Sequence, residues 1–273
     1  YQCDWSSDVC SSDLILDSIR RFSPKTRFYQ AGSSEEFGNV SYSPQDENHP
    51  LKPRSPYGAS KAAARLITKV YRESYGLYAV VGWLFNHESE RRGEEFVTRK
   101  ITKGVARIHN SIINSGSFKF EPIKLGNIYA KRDWSHAEDM VDGVWRMLNQ
   151  EFFKNNSTDN FVASDYVVGN GETHTIKEFI ECAFKNCFNY NFHWEGNGID
   201  EKYMIDLDGI DKDGHYTKSI PVVSIDKAFY RPAEVECLIS NPNKIKNELG
   251  WNPQISFDML VKRMVDNDLQ NKI

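Results

Sequence analysis

Tyr57 and Lys61 stand four residues apart in Tyr57-Gly-Ala-Ser-Lys61. On a helix that spacing puts both side chains on one face, one turn apart. An ammonium beside a phenol favours the phenolate and lowers its pKa from about 10, which makes the tyrosine a usable general base near neutral pH. An exposed helical face shows such pairs too; what distinguishes this one is that it opens a helix between two strand-like runs. Ser33-Ser34-Glu35 directly follows the first of those runs. A hydroxyl there can hold a sugar hydroxyl or carbonyl, and the carboxylate can exchange protons with substrate. A plain turn or helix-capping cluster would read the same way. Asn86-His-Glu-Ser-Glu-Arg-Arg-Gly93 follows the second run. Its adjacent arginines suit bidentate phosphate recognition. The interleaved acids bring the local charge near zero, as in an ordinary solvated loop, and His87 fits packing as well as it fits ligand contact. Arg132-Asp-Trp134 and Arg231-Pro-Ala-Glu234 each set an arginine in a polar turn, where it clamps a diphosphate or makes a surface salt bridge.

These groups need a scaffold that brings strand ends and a helix start together. Leu14 to Phe22 has helical periodicity, with Pro24 as a stop beyond it. Arg27 to Ala31 is strand-like, and a polar loop with three prolines follows. Ser55 as N-cap, Pro56 at the first helical position and Gly76 as the stop frame a helix over about 56–75. Leu77 to Phe85 is a continuous apolar run, as in a parallel strand covered on both faces. Strand, helix and strand at this spacing make a βαβ unit. Beyond it come a helix at about 96–109 and a short strand near 123–125. A Ser135-x-x-Glu138 capping box opens a helix to about 149, and 165–168 is another strand. A Thr175-x-x-Glu178 box opens a helix to about 188, and two helices, about 242–249 and 257–269, close the chain. Asn189 to Ala228 reads as loops with short strands. The alternation predicts an α/β fold. Residues 1–13 show neither period and read as a non-native or disordered tail. Gly169-Asn-Gly171 reads as a turn, and no Gly-x-x-Gly-x-x-Gly phosphate loop occurs in the chain.

Composition narrows the classes further. The 273 residues carry 34 Lys+Arg against 38 Asp+Glu, a net charge of −4. Without a basic stretch the chain is a poor nucleic-acid binder. No run approaches the roughly 20 apolar residues of a membrane span. Five cysteines with no Cys-x-x-Cys argue against a disulfide framework and against a metal site. A cytoplasmic enzyme is the expectation.

The strand-end Ser33-Ser-Glu35 with Tyr57-x-x-x-Lys61 resembles the extended short-chain dehydrogenase/reductases that act on nucleotide sugars, and within them the GDP-mannose 4,6-dehydratase family. The stretches that carry the resemblance are RFYQAGSSEEFG (27–38), PRSPYGASKAAA (53–64), FNHESERRGEEFVTRKI (85–101), LGNIYAKRDWSHAEDMV (125–141) and YRPAEVE (230–236). Ser33 stands where many members carry threonine, and the hydroxyl is retained. The resemblance implies a partial Rossmann-like doubly wound parallel sheet, its first βαβ units outside this sequence, with a smaller C-terminal α/β substrate domain. On that reading 14–93 is the remainder of an NADP-binding domain to which parts of 133–172 return, and 94–132 with 173–273 bind the GDP-sugar.

What the resemblance implies for the chemistry is the dehydration of GDP-α-D-mannose to GDP-4-dehydro-6-deoxy-D-mannose through NADP. Tyr57, with Lys61, takes the 4-hydroxyl proton, Glu35 serves carbon 5 and the 6-hydroxyl, and Ser33 holds the oxygen at carbon 4. Tyr57, Lys61, His87 and Arg92 contact the cofactor. Asn86, Val97, Lys100, Arg132, Arg231 and Glu234 line the sugar-nucleotide pocket. A homodimer or homotetramer is expected. A nucleotide-sugar 4-epimerase is the nearest alternative, and it has no use for Glu35; a non-catalytic fragment is the other.

Overall fold

The computed structural model describes residues 5–154, 161–209, 216–230 and 237–270. They divide into two compact units: residues 1–87, 131–173 and 235–256, and residues 88–130, 174–234 and 257–273. Among the described residues no helix is long and apolar enough to cross a membrane.

The first unit is built on a parallel sheet. Strand β1 (Phe28–Ser33) pairs with β2 (Ala79–Leu84), setting Phe28 opposite Ala79 and Ser33 opposite Leu84. β2 pairs in turn with β7 (Tyr166–Val168). Five of the six β2 residues are buried, which is why the run lacks alternation. Helices α1 (Trp5–Phe22) and α2 (Pro56–Tyr75) lie on one face, where Leu16, Leu77 and Ala79 pack together. Helices α4 (Ala137–Leu148) and α7 (Asn243–Leu249) cover the other, with Val80, Met140, Met147, Tyr166, Leu249 and Trp251 in one cluster. Short strands follow, β3 (Asn86–Glu88) paired with β6 (Trp134–His136) and β5 (Lys131–Arg132) paired with β12 (Cys237–Leu238), together with the one-turn helix α5 (Gln150–Phe153).

α2 is framed as its sequence dictates. Ser55 accepts the Gly58 N–H at 3.0 Å, and Gly76 takes the left-handed conformation (φ 66) that ends the helix. Further along, the buried Arg72 guanidinium grips both carboxylate oxygens of Asp165, at 2.5 and 2.9 Å, and donates to the Ala79 carbonyl. Asp165 also accepts the Val81 N–H, so this ion pair locks the helix to the sheet register.

The second unit packs α3 (Val97–His109), α6 (Ile176–Lys185) and α8 (Phe257–Gln270) together, beside a sheet ordered β4, β11, β10, β9. β4 (Ile123–Leu125) runs parallel to β11 (Tyr216–Ile225), while β10 (Lys202–Gly209) is antiparallel to both β11 and β9 (Phe192–Glu195). β8 (His174–Thr175) leads into α6, whose Thr175–Glu178 capping box is complete in both directions.

Several expectations are corrected. Of the expected tail 1–13, residues 5–13 are structured and the first four lie outside the described residues: α1 begins at Trp5, Ser12 is buried and donates to Gln30 Oε1 at 2.7 Å, and Tyr71 donates to Asp13. Residues 235–256 do not join the second unit, because Trp251 donates to the Asp139 carbonyl and Ile245 and Leu249 fill the first unit's core. The passage to the second unit also falls at residue 88 rather than 94. Ser135 does not cap α4, since it lies in β6 and the His136 ring accepts the Glu138 N–H instead. Among the described residues of 189–228, β10 and β11 are long antiparallel partners, hidden by a bulge at Tyr203/Met204 that breaks the alternation. Pro221 sits opposite Met204 at that irregularity, one of the few places a sheet interior accepts proline.

Candidate active site

The site residues of the first unit gather at the carboxyl end of its parallel sheet, where open α/β sheets bind ligands. β1 ends at Ser33, and a single 3₁₀ turn, Ser34–Glu36, follows. Ser33 Oγ accepts the Glu35 N–H at 3.3 Å, and Glu36 Oε1 accepts the Ser33 N–H at 2.8 Å, a reciprocal cap. Both the capping reading and the placement at a strand end therefore hold for Ser33. Its oxygen already accepts one hydrogen bond, and its proton is available for donation. Glu35 is half-buried on that turn, while Glu36 is turned inward and fully buried.

The start of α2 is pressed against this turn. A Cβ added at Gly58 would lie 2.6 Å from the Glu35 carbonyl oxygen and 3.1 Å from Pro53 Cβ, so only glycine admits the approach. Tyr57 precedes that contact point and Lys61 lies one turn on, both half-buried, with the Lys61 ammonium 5.7 Å from the Tyr57 ring centroid. Arg65, a further turn along the same stripe, lays its guanidinium 4.0 Å over the Trp83 ring. The structure thus brings Ser33, Glu35, Tyr57 and Lys61 to one sheet end.

Asn86 and His87 follow β2 at the same end of the sheet, in β3. His87 Nδ1 lies 2.9 Å from the Phe85 carbonyl, which can only accept, so that nitrogen carries the proton. Arg132 is half-buried in β5 and donates to its neighbour's carbonyl, Lys131 O, at 2.8 Å. Beside it Asp133 is fully buried and accepts four hydrogen bonds, from Asn170 N, Gly171 N, Ser240 N and Ser240 Oγ. Burial pushes its carboxyl above the usual range even so.

Arg92, Val97 and Lys100 belong to the second unit. Arg92 is held by the buried Glu88 at 3.2 Å and lies 3.5 Å over the Phe96 ring. Glu88 also accepts the Thr98 hydroxyl at 2.6 Å, tying the arginine loop to the first turn of α3. Val97 opens that helix, and the Lys100 ammonium sits 3.4 Å over the Phe229 ring, where burial lowers its proton affinity. Arg231 and Glu234 lie outside the described residues.

Residue-by-residue reading passed over three contributors: Glu36, Gly58 and Arg65. The Ser33-x-x-Glu36 spacing is itself a capping-box signature, and it was there to be found. Gly58 and Arg65 carry no such local mark.

The fold is shared with solved structures. One is RMD from Pseudomonas aeruginosa complexed with NADPH, with TM-score 0.71, 16% identity, and coverage of 97% of this chain and 73% of that one. Another is a UDP-glucose 4-epimerase from Thermus thermophilus in complex with NAD, with TM-score 0.69, 19% identity, and coverage of 98% and 72%. These likenesses establish the fold. Sequence goes further, because the profile of the GDP-mannose 4,6 dehydratases matches residues 6–264. The chain belongs to the GDP-mannose 4,6-dehydratase family. The dehydratase of Drosophila melanogaster is 41% identical over 265 residues, covering 96% of this chain and 60% of that protein. Those of Dictyostelium discoideum and Vibrio cholerae are 42% and 40% identical, with 65% and 66% of their lengths covered. The chain spans about 60–66% of the length of these curated relatives.

Proposed function

We propose that the protein carrying this chain dehydrates GDP-α-D-mannose to GDP-4-dehydro-6-deoxy-D-mannose. The observation that carries this reading is the joining of Ser33 and Glu35 to the Tyr57–Lys61 face, through the Gly58 contact, in a chain of this family. Tyr57 takes the proton of the sugar 4-hydroxyl as carbon 4 is oxidised, and Ser33 donates to the oxygen there. The 4-ketone acidifies the proton on carbon 5. Glu35 removes that proton and protonates the departing 6-hydroxyl, and once the hydride lost from carbon 4 is returned to carbon 6 the net change is loss of water. An epimerisation at carbon 4 has no use for that carboxylate.

The donor set fits the nicotinamide end of NADP: a phenol and an ammonium on one helix face, with an imidazole at the same sheet end. NADP, when bound, supplies the acceptor and donor of hydride. Tyr57, Lys61, His87 and Arg92 are the residues that would hold it. Asn86, Val97, Lys100, Arg132, Arg231 and Glu234 would line the sugar-nucleotide pocket. We place the enzyme in the cytoplasm as a homodimer or homotetramer. The apolar side chains exposed on α1 and α2, such as Leu14, Phe22, Leu66 and Val70, support self-association.

Glu35→Gln in the complete protein tests the reading. Oxidation at carbon 4 should persist while elimination stalls, with turnover and solvent-deuterium exchange at carbon 5 both falling by about 10²–10⁴. Undiminished exchange would assign the carbon-5 proton to another group and favour the epimerase.

A further inference from the structure

Glu36 is fully buried beside Ser33, and the chemistry above leaves it idle. Its Oε1 accepts the Ser33 N–H, while its Oε2 is buried with no hydrogen-bond partner. Facing it is Arg65, whose Nε is likewise buried without a hydrogen-bond partner. A Cβ at Gly32 would come within 2.8 Å of Glu36 Oε1 and 2.7 Å of the Gly82 carbonyl, so β1 and β2 are fitted closely around this carboxyl. Burying an unsatisfied ionisable group is costly, and such groups concentrate where proton affinities are tuned.

We infer that Glu36 is a positioning residue. From beneath β1 it fixes the strand end that bears Ser33, and through the charge it presents to α2 it sets the proton affinity of the Tyr57–Lys61 pair. The inference rests on the reading of Tyr57 as general base.

The groups around Glu36 define how this works. Lys61 and Arg65 face it from α2, Tyr29 from β1 and the Trp83 indole from β2. Arg65 in turn feels Asp165 and Arg72. Burial pushes the Glu36 carboxyl up to about 7, against the Ser33 N–H, the Arg65 charge, the indole N–H (short of a hydrogen bond) and the Lys61 charge. Its charge therefore changes near neutrality. The anion favours cations on α2 and opposes a phenolate at Tyr57, and the neutral acid lifts that opposition.

Glu36→Gln keeps an acceptor for the Ser33 N–H but cannot ionise. The readout is the phenol titration of Tyr57 by ring-¹³C tyrosine NMR, its resonance assigned with Tyr57→Phe. The Tyr57 midpoint should fall by about 0.5–1 unit in Glu36→Gln and rise in Arg65→Gln, which removes a cation from the same cluster. In the complete protein Glu36→Leu, which also loses the Ser33 tether, should lower kcat with little change in KM for GDP-mannose, and Gln should restore it. An unmoved Tyr57 midpoint overturns the inference; if Glu36→Gln does not fold, an unmoved midpoint in Arg65→Gln overturns it equally. A complete wild-type protein that fails to dehydrate GDP-mannose would overturn the proposed function instead, and the titration would still decide the role of Glu36.

Discussion

Gly58→Ala probes the contact that joins the two halves of the catalytic set. The new methyl would meet the Glu35 carbonyl oxygen at 2.6 Å, against an ordinary C···O contact of about 3.3 Å, a deficit of about 0.7 Å. Pro53 Cβ, at 3.1 Å, blocks sideways relief, and both obstacles belong to packed backbone or a rigid ring. The first turn of α2 must therefore back away, carrying Tyr57 and Lys61 with it. Overpacking of this kind costs about 1–3 kcal/mol. Alanine returns about 0.5–1 kcal/mol by favouring the helix, so the net loss of stability is about 0–2.5 kcal/mol. Catalysis is more sensitive, since a misplacement near 1 Å can cost about 10²-fold, and we expect kcat to fall about 10–100-fold. Urea unfolding of the chain and turnover of the complete protein at saturating GDP-mannose give the two numbers. A variant that keeps more than half of wild-type turnover would show that the helix start need not be held against Glu35.

Tyr57→Phe should abolish nearly all turnover while leaving GDP-mannose binding near normal by calorimetry, because only the titrating hydroxyl is lost; retention of more than a few per cent of the rate, on the order of the loss of one acid/base group, refutes the assignment. Arg72→Met should destabilise the fold by about 3–5 kcal/mol in urea unfolding, because it strands the buried Asp165 carboxylate, and pairing it with Asp165→Asn should recover part of the loss. Stability should also report the Glu36 proton. Its folded pKa of about 7 is above the unfolded value of 4.5, so the contribution is fully present below 4.5 and lost as pH rises through 7. That loss is on the order of 3 kcal/mol and should be missing from Glu36→Gln; parallel pH profiles for the two proteins would refute it.

The residues that were legible are those whose role is written in local spacing. Ser55, Pro56 and Gly76 announced α2 because capping is a property of a few adjacent residues, and the nearly unbroken apolar run of β2 announced burial on both faces. Tyr57 and Lys61 needed only helical geometry to be paired. Ser135 misled because the same four-residue signature can be overridden when the strand before it, buried in β6, claims the serine. The pairing of β10 and β11 was illegible because Tyr203, Met204 and Ile205 are buried in succession on β10, and Val222 and Val223 are both buried where the bulge falls on β11, which erases the two-residue period. Residues 235–256 were misplaced for a different reason. Their allegiance is decided by contacts more than a hundred positions away, such as Trp251 with Asp139, which no window of sequence contains.

The same distinction explains why so many polar groups are buried near this sheet end. A parallel strand that slips by one residue turns every side chain to the opposite face, which would carry Ser33 away from the start of α2. Apolar packing resists such a slip only weakly when both faces of a strand are buried and alike, as in β2. Directional groups resist it strongly. Asp165 takes the Val81 N–H and both nitrogens of Arg72, Glu36 takes the Ser33 N–H, and Gly32 leaves no room for any other register around the Glu36 carboxyl. Each of these groups costs desolvation, and each has a hydrogen-bonding geometry satisfied in one alignment of β1, β2 and α2. The buried polar groups that weaken the core on a simple account of burial are the ones that hold Ser33, Glu35, Tyr57 and Lys61 in a common place.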